Sequence, residues 1–391
     1  MNTRRIFGVL FLLNLFNYID RQVLYSVFPL LQTDLHLTDL QLGALASAFI
    51  LVYLCYAPVA GLLADRFARP KLISFSALVW SLATLASGAA KNFSHLLAAR
   101  GFIGVGEGGF TTMAQPFLAE YYPKEKHARV LALFGLALPL GSALGYALGG
   151  ILGQAWGWRL AFMVVGVPGV FLALAAWFLP DAARLPKTAS ELPRLTDYIQ
   201  LFRNKPFLYV CLVQTVVTFV MGGFSAWAPT YLVRYLHVTA AQAGTWFGGL
   251  VIVCGAAGTF LGGELAQRRL QKSPRAYYEV MALSLAGCVL PLWLGLAASH
   301  VYAALAFFGL AILFLFLPTG AIAAALVDTT PAAVRATAFA VNICIIHLLG
   351  DALSPTLLGL LSDYWNLKGA FLLGTLVILP GLFFCYRAGK R

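Results

Sequence analysis

Gly61-Leu62-Leu63-Ala64-Asp65-Arg66-Phe67 recurs 202 residues later as Gly263-Glu264-Leu265-Ala266-Gln267-Arg268-Arg269. Leu118-Ala119-Glu120-Tyr121-Tyr122-Pro123 recurs 208 residues later as Leu326-Val327-Asp328-Thr329-Thr330-Pro331. Two matches at nearly one offset mean that the chain is built twice over. Around them lie apolar runs long enough to cross a hydrocarbon core of ~30 Å as helix. They fall near 5–31, 38–64, 70–90, 94–122, 128–152, 158–180, 206–235, 240–266, 275–297, 301–328, 333–361 and 368–387. The longest polar stretch, 181–205, divides these twelve runs six and six. It holds Pro186, Pro193 and five basic residues. The expected fold is an all-α membrane protein of twelve transmembrane helices in two six-helix bundles, 1–180 and 206–391, joined by a cytoplasmic linker at 181–205.

Composition agrees. Of 391 residues, 60% are hydrophobic and 11% charged, with mean hydropathy +0.82, whereas soluble domains carry roughly 25% charged residues. The net charge of +12 does not point to nucleic acid, because it is unevenly placed. With both termini inside, all but Arg21, Arg100, Lys91, Arg159, Arg234 and Lys368 of the 27 Lys and Arg fall on the cytoplasmic side. That asymmetry sets orientation and favours anionic headgroups as neighbours. A multi-pass protein of the cell inner membrane with cytoplasmic termini is expected. Arg4 and Arg5 before an apolar stretch mimic a signal peptide, but no small-residue cleavage site follows, so the segment reads as a retained first helix.

Charges at membrane depth cost at least ~2.5–3.5 kcal/mol each and normally face a protein interior or a watery path. Asn17-Tyr18-Ile19-Asp20-Arg21 lies in the first run, where Asn17 and Asp20 share a face. Arg100 and Glu107 lie in the fourth, two turns apart on one face and about 10 Å along the axis. Burial favours the neutral carboxyl and a neighbouring guanidinium the ionised one. Asp20 and Glu107 are therefore candidates for proton coupling. Arg21 and Arg100 offer planar forks to an anion, with Asn17 and Tyr18 beside them. Permanent salt bridges between the first and fourth helices are the structural alternative.

In the loop Gly61 to Lys71, Gly61 permits close helix contact. Asp65 caps or pairs at a helix end, and Arg66, Arg69 and Lys71 hold the cytoplasmic face. With Glu120, Arg129 and Arg268 these residues make the expected gate; a plain basic loop is the alternative. Gln267 replaces the acid in the second copy, which confines the charged latch to the first half. His347 and Asp351, spaced i, i+4 before Ser354-Pro355, suit function and packing equally. Gly222-Gly223-Phe224-Ser225-Ala226-Trp227-Ala228-Pro229 is expected to break the seventh helix and bring Phe224 and Trp227 towards a cavity.

Gly104-Val105-Gly106-Glu107-Gly108-Gly109 matches GxGxxG in letters, but a dinucleotide fingerprint needs a preceding strand. Inside an apolar helix its small residues permit close packing. So do those of Pro139 to Gly150, spaced at every fourth position. The six cysteines lack CxxC spacing, the six histidines are dispersed, and neither HExxH nor GxSxG occurs. No enzyme, metal or cofactor is expected.

Parallel six-helix repeats are the pattern of the major facilitator architecture, with its substrate site at mid-membrane. The chain further resembles the spinster-like branch of that superfamily, over nearly its whole length. The resemblance rests on Asn17 to Arg21, Arg100 to Glu107, Pro139 to Tyr146, Trp158-Arg159-Leu160-Ala161-Phe162, Trp227-Ala228-Pro229 and His347 to Pro355. It implies alternating access, proton linkage at Asp20 and Glu107, and a lysolipid or sphingoid phosphate as cargo. The expectation is a monomeric, proton-coupled secondary transporter of an amphiphilic organic anion. A drug/proton antiporter and a sugar-acid symporter are alternatives. A non-transporting receptor or scaffold is a more remote one.

Overall fold

The computed structural model describes residues 3–181, 195–331 and 334–389 and is helical nearly throughout. The first six spans are α1 (Thr3–Ser26) with α2 (Phe28–Leu35), α3 (Asp39–Arg66), α4 (Arg69–Gly88), α5 (Phe93–Ala119), α6 (Lys124–Gly135) with α7 (Ala137–Trp156), and α8 (Trp158–Trp177). After α9 (Leu195–Arg203) come α10 (Lys205–Leu236), α11 (Ala240–Leu270), α12 (Ala276–Ala297), and α13 (Val301–Phe316) with α14 (Thr319–Thr329). Then follow α15 (Arg335–Ile346), a π-helical turn (His347–Asp351) and α16 (Ser354–Tyr364) as one span, and α17 (Leu367–Gly374) with α18 (Ile378–Gly389) as the last. Twelve spans result, as the apolar runs predict.

Among the described residues, ten spans are long and apolar enough to cross a membrane by composition alone. The other two contain α1 and α5, the helices that carry Asp20, Arg21, Arg100 and Glu107. Local signals explain the helix ends. Thr38 and Gln41 form a reciprocal capping box at α3, and Asn92 caps α5, each satisfying amides that would otherwise be orphaned. Gly157 closes α7 at φ 87°, a conformation that costs other residues steric strain.

Contacts divide the chain into two units. One is Met1–Arg184 with Ala226–Gly249, the other Leu185–Ser225 with Leu250–Arg391. The C-terminal part of α10 and the start of α11 thus cluster with the first six spans. The expected linker lies largely outside the described residues, but its end forms α9. Nor is the seventh helix broken: α10 runs unbroken through Gly222, Gly223 and Pro229. Here the glycines make room rather than a break, since a Cβ at Gly222 would meet Asp351 Cβ at 2.6 Å.

In the first unit α5 packs against α3 and α4, α4 against α8, and α1 against α7. Small residues set the approach. A Cβ at Gly104 would meet the Phe49 carbonyl of α3 at 2.6 Å, and one at Gly106 the Ser76 carbonyl and Trp80 amide of α4, both at 2.6 Å. Gly141, Gly145 and Gly149 press α7 onto α1 in the same way. Gly61 differs from its expected role, because a Cβ there would meet only Thr112, at 3.9 Å.

Gly106→Ala and Gly8→Ala gain the same helix propensity, but a Cβ at Gly8 meets nothing within 4 Å. Thermal melting should therefore place Gly106→Ala below Gly8→Ala by the overpacking cost, roughly 1–3 kcal/mol. Equal melting would mean that α4 and α5 adjust freely.

Candidate functional site

The close approach of α5 to α3 and α4 brings its two charges to the inner face of α1. Arg21 Nε donates to Glu107 Oε2 at 2.5 Å, with the carboxylate side chain fully buried and the arginine 21% exposed. Three rings surround the Arg21 guanidinium: Tyr18 at 5.2 Å, Phe49 at 4.9 Å and Tyr53 at 5.4 Å from their centroids. Such rings attract a cation through their negative faces. Tyr53 in turn is hydroxyl-bonded to Thr111 at 2.7 Å. Asp20 Oδ2 accepts from Thr84 of α4.

Arg100 is different. It is fully buried, and its Nε, Nη1 and Nη2 have no hydrogen-bond acceptor. Phe49 lies 5.1 Å beneath its guanidinium. The amide atoms of Asn17, Oδ1 of Asp20, Oε1 of Glu107 and Oγ of Ser81 are also buried without partners. Buried polar groups are ordinarily paired, because each unpaired one costs its desolvation. A cluster of donors and acceptors on α1, α4 and α5 therefore has spare capacity for polar atoms that are not its own. Of the two salt bridges that sequence spacing allowed between the first and fourth helices, only Arg21–Glu107 forms.

The other candidates are dispersed. His347 Nδ1 meets Asp351 Oδ1 at 2.9 Å in the π-helical turn of the second unit, both half-buried. Phe224 is buried against Phe308 and Phe371 in that unit. Trp227 is buried against Phe28 in the first. The two rings, grouped by the sequence, thus lie in separate units, and Phe224 lines a small apolar cavity with Leu358 and Phe371. Among the residues of the expected gate, Arg69 pairs with Glu120. Arg268 pairs with Glu264 within α11 at 2.7 Å, while Asp65, Arg66 and Arg129 are exposed.

Sequence reasoning missed Phe49, Tyr53 and Thr84, which carry no signal apart from their neighbours. It also missed two ionic contacts at the opposite end of the first unit. Arg234 grips Asp39 through Nη1 at 2.7 Å and Nη2 at 2.5 Å, and Gln32 through Nη2 at 2.6 Å. Arg159 and Trp158 donate to Asp34 at 2.6 and 3.1 Å. The scarcity of basic residues on that side was the usable signal, since a lone base there invites an acid.

The two contacts should respond differently to mutation. Arg234→Gln leaves Asp39 4% exposed without its cation, a truncation that costs about 3–5 kcal/mol in a buried pair. It should lower the melting temperature more than Asp34→Asn. The Arg159 and Trp158 hydrogen bonds hold Asp34 below its ordinary 3.8. A depressed folded value contributes stability above the unfolded one and loses it as pH falls through the folded one. The melting gap between wild type and Asp34→Asn should stay constant from about pH 8 to 5 and close below about pH 3. A gap that changes near neutrality would assign the pH dependence to another group.

Residues 10–353 match the Major Facilitator Superfamily. Protein spinster homolog 1 of Xenopus tropicalis is 32% identical over 380 residues, covering 91% of this chain and 72% of that protein. Spinster homolog 1 of Homo sapiens is 33% identical over 384 residues, covering 92% and 72%. The fold is similar to a crystal structure of a bacterial homologue of the human lysosomal transporter spinster in an inward-facing, occupied conformation. The TM-score is 0.87 at 22% identity, covering 98% of this chain and 96% of that one. An inward-facing, unoccupied structure gives 0.84 at 23% identity, covering 99% and 95%. The twelve helices, the doubled motifs and these matches agree: the chain is a membrane transporter, not an enzyme, and belongs to the spinster-like branch of the major facilitator superfamily.

Proposed function

We propose that this transporter moves an amphiphilic organic anion, such as a lysolipid or sphingoid phosphate, by alternating access coupled to protons. The observation that carries the reading is Arg100, fully buried with no acceptor for any guanidinium nitrogen. It lies in the same unit as the Arg21–Glu107 pair. An arginine so placed has donors ready for a phosphate or carboxylate, whose charge would offset the desolvation of its own.

Coupling follows from Glu107. While ionised, it occupies Arg21. A proton taken up on its carboxylate removes that charge and leaves Arg21, with Arg100, to the anionic head of the cargo. Loss of the proton restores the pair and displaces the anion. Asp20, held by Thr84, is the second acid of the cycle. Tyr18, Phe49 and Tyr53 around Arg21 supply apolar wall for an acyl or sphingoid chain, which supports an amphiphile over a sugar acid. The protein is proposed to act as a monomer in the cell inner membrane with both termini in the cytoplasm.

The test is uptake of a labelled lysophospholipid into liposomes across an imposed pH gradient. Glu107→Gln and Asp20→Asn should lose gradient-driven uptake while reconstituting like wild type. Full activity in both would remove proton coupling at these acids. Arg100→Ala should weaken binding of the anionic lipid roughly 10- to 150-fold, the worth of a charged hydrogen bond of about 1.5–3 kcal/mol, and leave a neutral analogue unaffected. Equal losses for both ligands would make Arg100 structural. Uptake of a sugar acid but no lipid would replace the cargo class.

A further inference from the structure

The short helix α9, between the sixth and seventh spans, carries a face that transport does not explain. Leu201 is buried in the apolar core of the second unit, and α9 lies against α15. Asn204, the residue after α9, donates through its side chain to the Thr329 carbonyl at the end of α14 at 2.7 Å. It also accepts from the Phe207 amide at the start of α10 at 3.3 Å. The helix is thus held at the level where α10, α14 and α15 begin or end. From Phe202 to Phe207, inside the seventh span, is about 8 Å at helical rise.

At that level Tyr198, Ile199 and Phe202 are 36%, 44% and 55% exposed. At 3.6 residues per turn they fall within an arc of about 100°, contiguous with buried Leu201 on one side and flanked by Arg203 on the other. Gln200 lies on the opposite face. Arg203, Lys205 and Arg335 are all exposed and stand at the margins, at the end of α9 and at the starts of α10 and α15. Apolar side chains bordered by basic ones are the composition of helices that lie in a membrane interface.

We propose that α9 is a membrane-surface anchor. Tyr198, Ile199 and Phe202 sit at the headgroup–acyl boundary of the leaflet facing the linker, and Arg203, Lys205 and Arg335 bind the phosphates of anionic lipids. Two observations select lipid as the occupant. The face adjoins spans that are apolar enough to cross a bilayer. Arg203, Lys205 and Arg335 beside it are exposed bases, complementary to anionic headgroups, with exposed Asp328 as the acid at the end of α14. The proposal rests on the protein's spanning a membrane and is independent of its cargo.

The test places an environment-sensitive nitrobenzoxadiazole label at Ile199→Cys in the full chain. The background carries Cys55→Ser and Cys344→Ser, which removes the two exposed cysteines. The protein is reconstituted in nanodiscs of phosphatidylcholine alone or mixed with phosphatidylglycerol. Quenching by lipids spin-labelled near the headgroup, at least twofold stronger with phosphatidylglycerol, is the expected result. Arg203→Glu with Lys205→Glu should abolish that difference. Quenching by aqueous iodide instead would overturn the proposal, and so would protection from both quenchers, which would mean that protein covers the face. Hydrogen exchange of the unmodified protein is the second measurement. Amides 198–203 should exchange at least twofold more slowly in phosphatidylglycerol discs, and equal rates in both lipids would also overturn it.

Discussion

The bond from Arg21 to Glu107 is the constraint on which the first unit is organised. A buried carboxylate that stays ionised is stabilised by a cation beside it, and a buried cation by an anion. Delivering one to the other requires α1 and α5 to present matching faces. The glycines of α5 let it sink against α3 and α4, while those of α7 press onto α1. The rings of Tyr18, Phe49 and Tyr53 then surround the guanidinium. Packing of small residues and pairing of charges are one design, because the pair forms only if the backbones are close.

Arg100 shows the other half of that design. The same packing that brings Glu107 to Arg21 leaves Arg100 over Phe49 with its donors unused. A protein evolved for stability alone would fill such a position with an apolar residue, since hydrophobic replacements of buried charges are often neutral or stabilising. Ionic contacts elsewhere in the unit are more ordinary. Arg69–Glu120 and Arg159–Asp34 are partly exposed, so solvent screens them and they exchange cheaply. Arg234 on Asp39 is intermediate, bidentate and largely enclosed.

Much was legible from local pattern. Apolar runs of membrane length gave twelve spans, and the doubled Gly61 and Leu118 motifs gave the two halves. The charges of α1 and α5 stood out because their surroundings were apolar. Where reading failed, a local signal had two physical outcomes. Gly222, Gly223 and Pro229 can break a helix, but here α10 continues, Gly222 admitting the π-helical turn and Gly223 the Leu358 side chain of α16. Gly61 can permit a close approach, but no neighbour comes near enough to need it. Phe224 and Trp227 lie within one turn on α10, yet they pack in different units.

The sequence alone determined that the chain crosses a membrane as helices, how many times, and which of those helices carry charges within their apolar runs. Hydropathy and helical periodicity are properties of neighbouring residues, so they survive without knowledge of the fold. Only the tertiary structure decided that Glu107 belongs to Arg21, 86 residues away, that Arg100 has no acceptor, and that Arg234 reaches back to Asp39 across 195 residues. Those choices depend on how each helix is rotated about its axis and how closely its glycines let it approach the next. No stretch of sequence contains that information by itself.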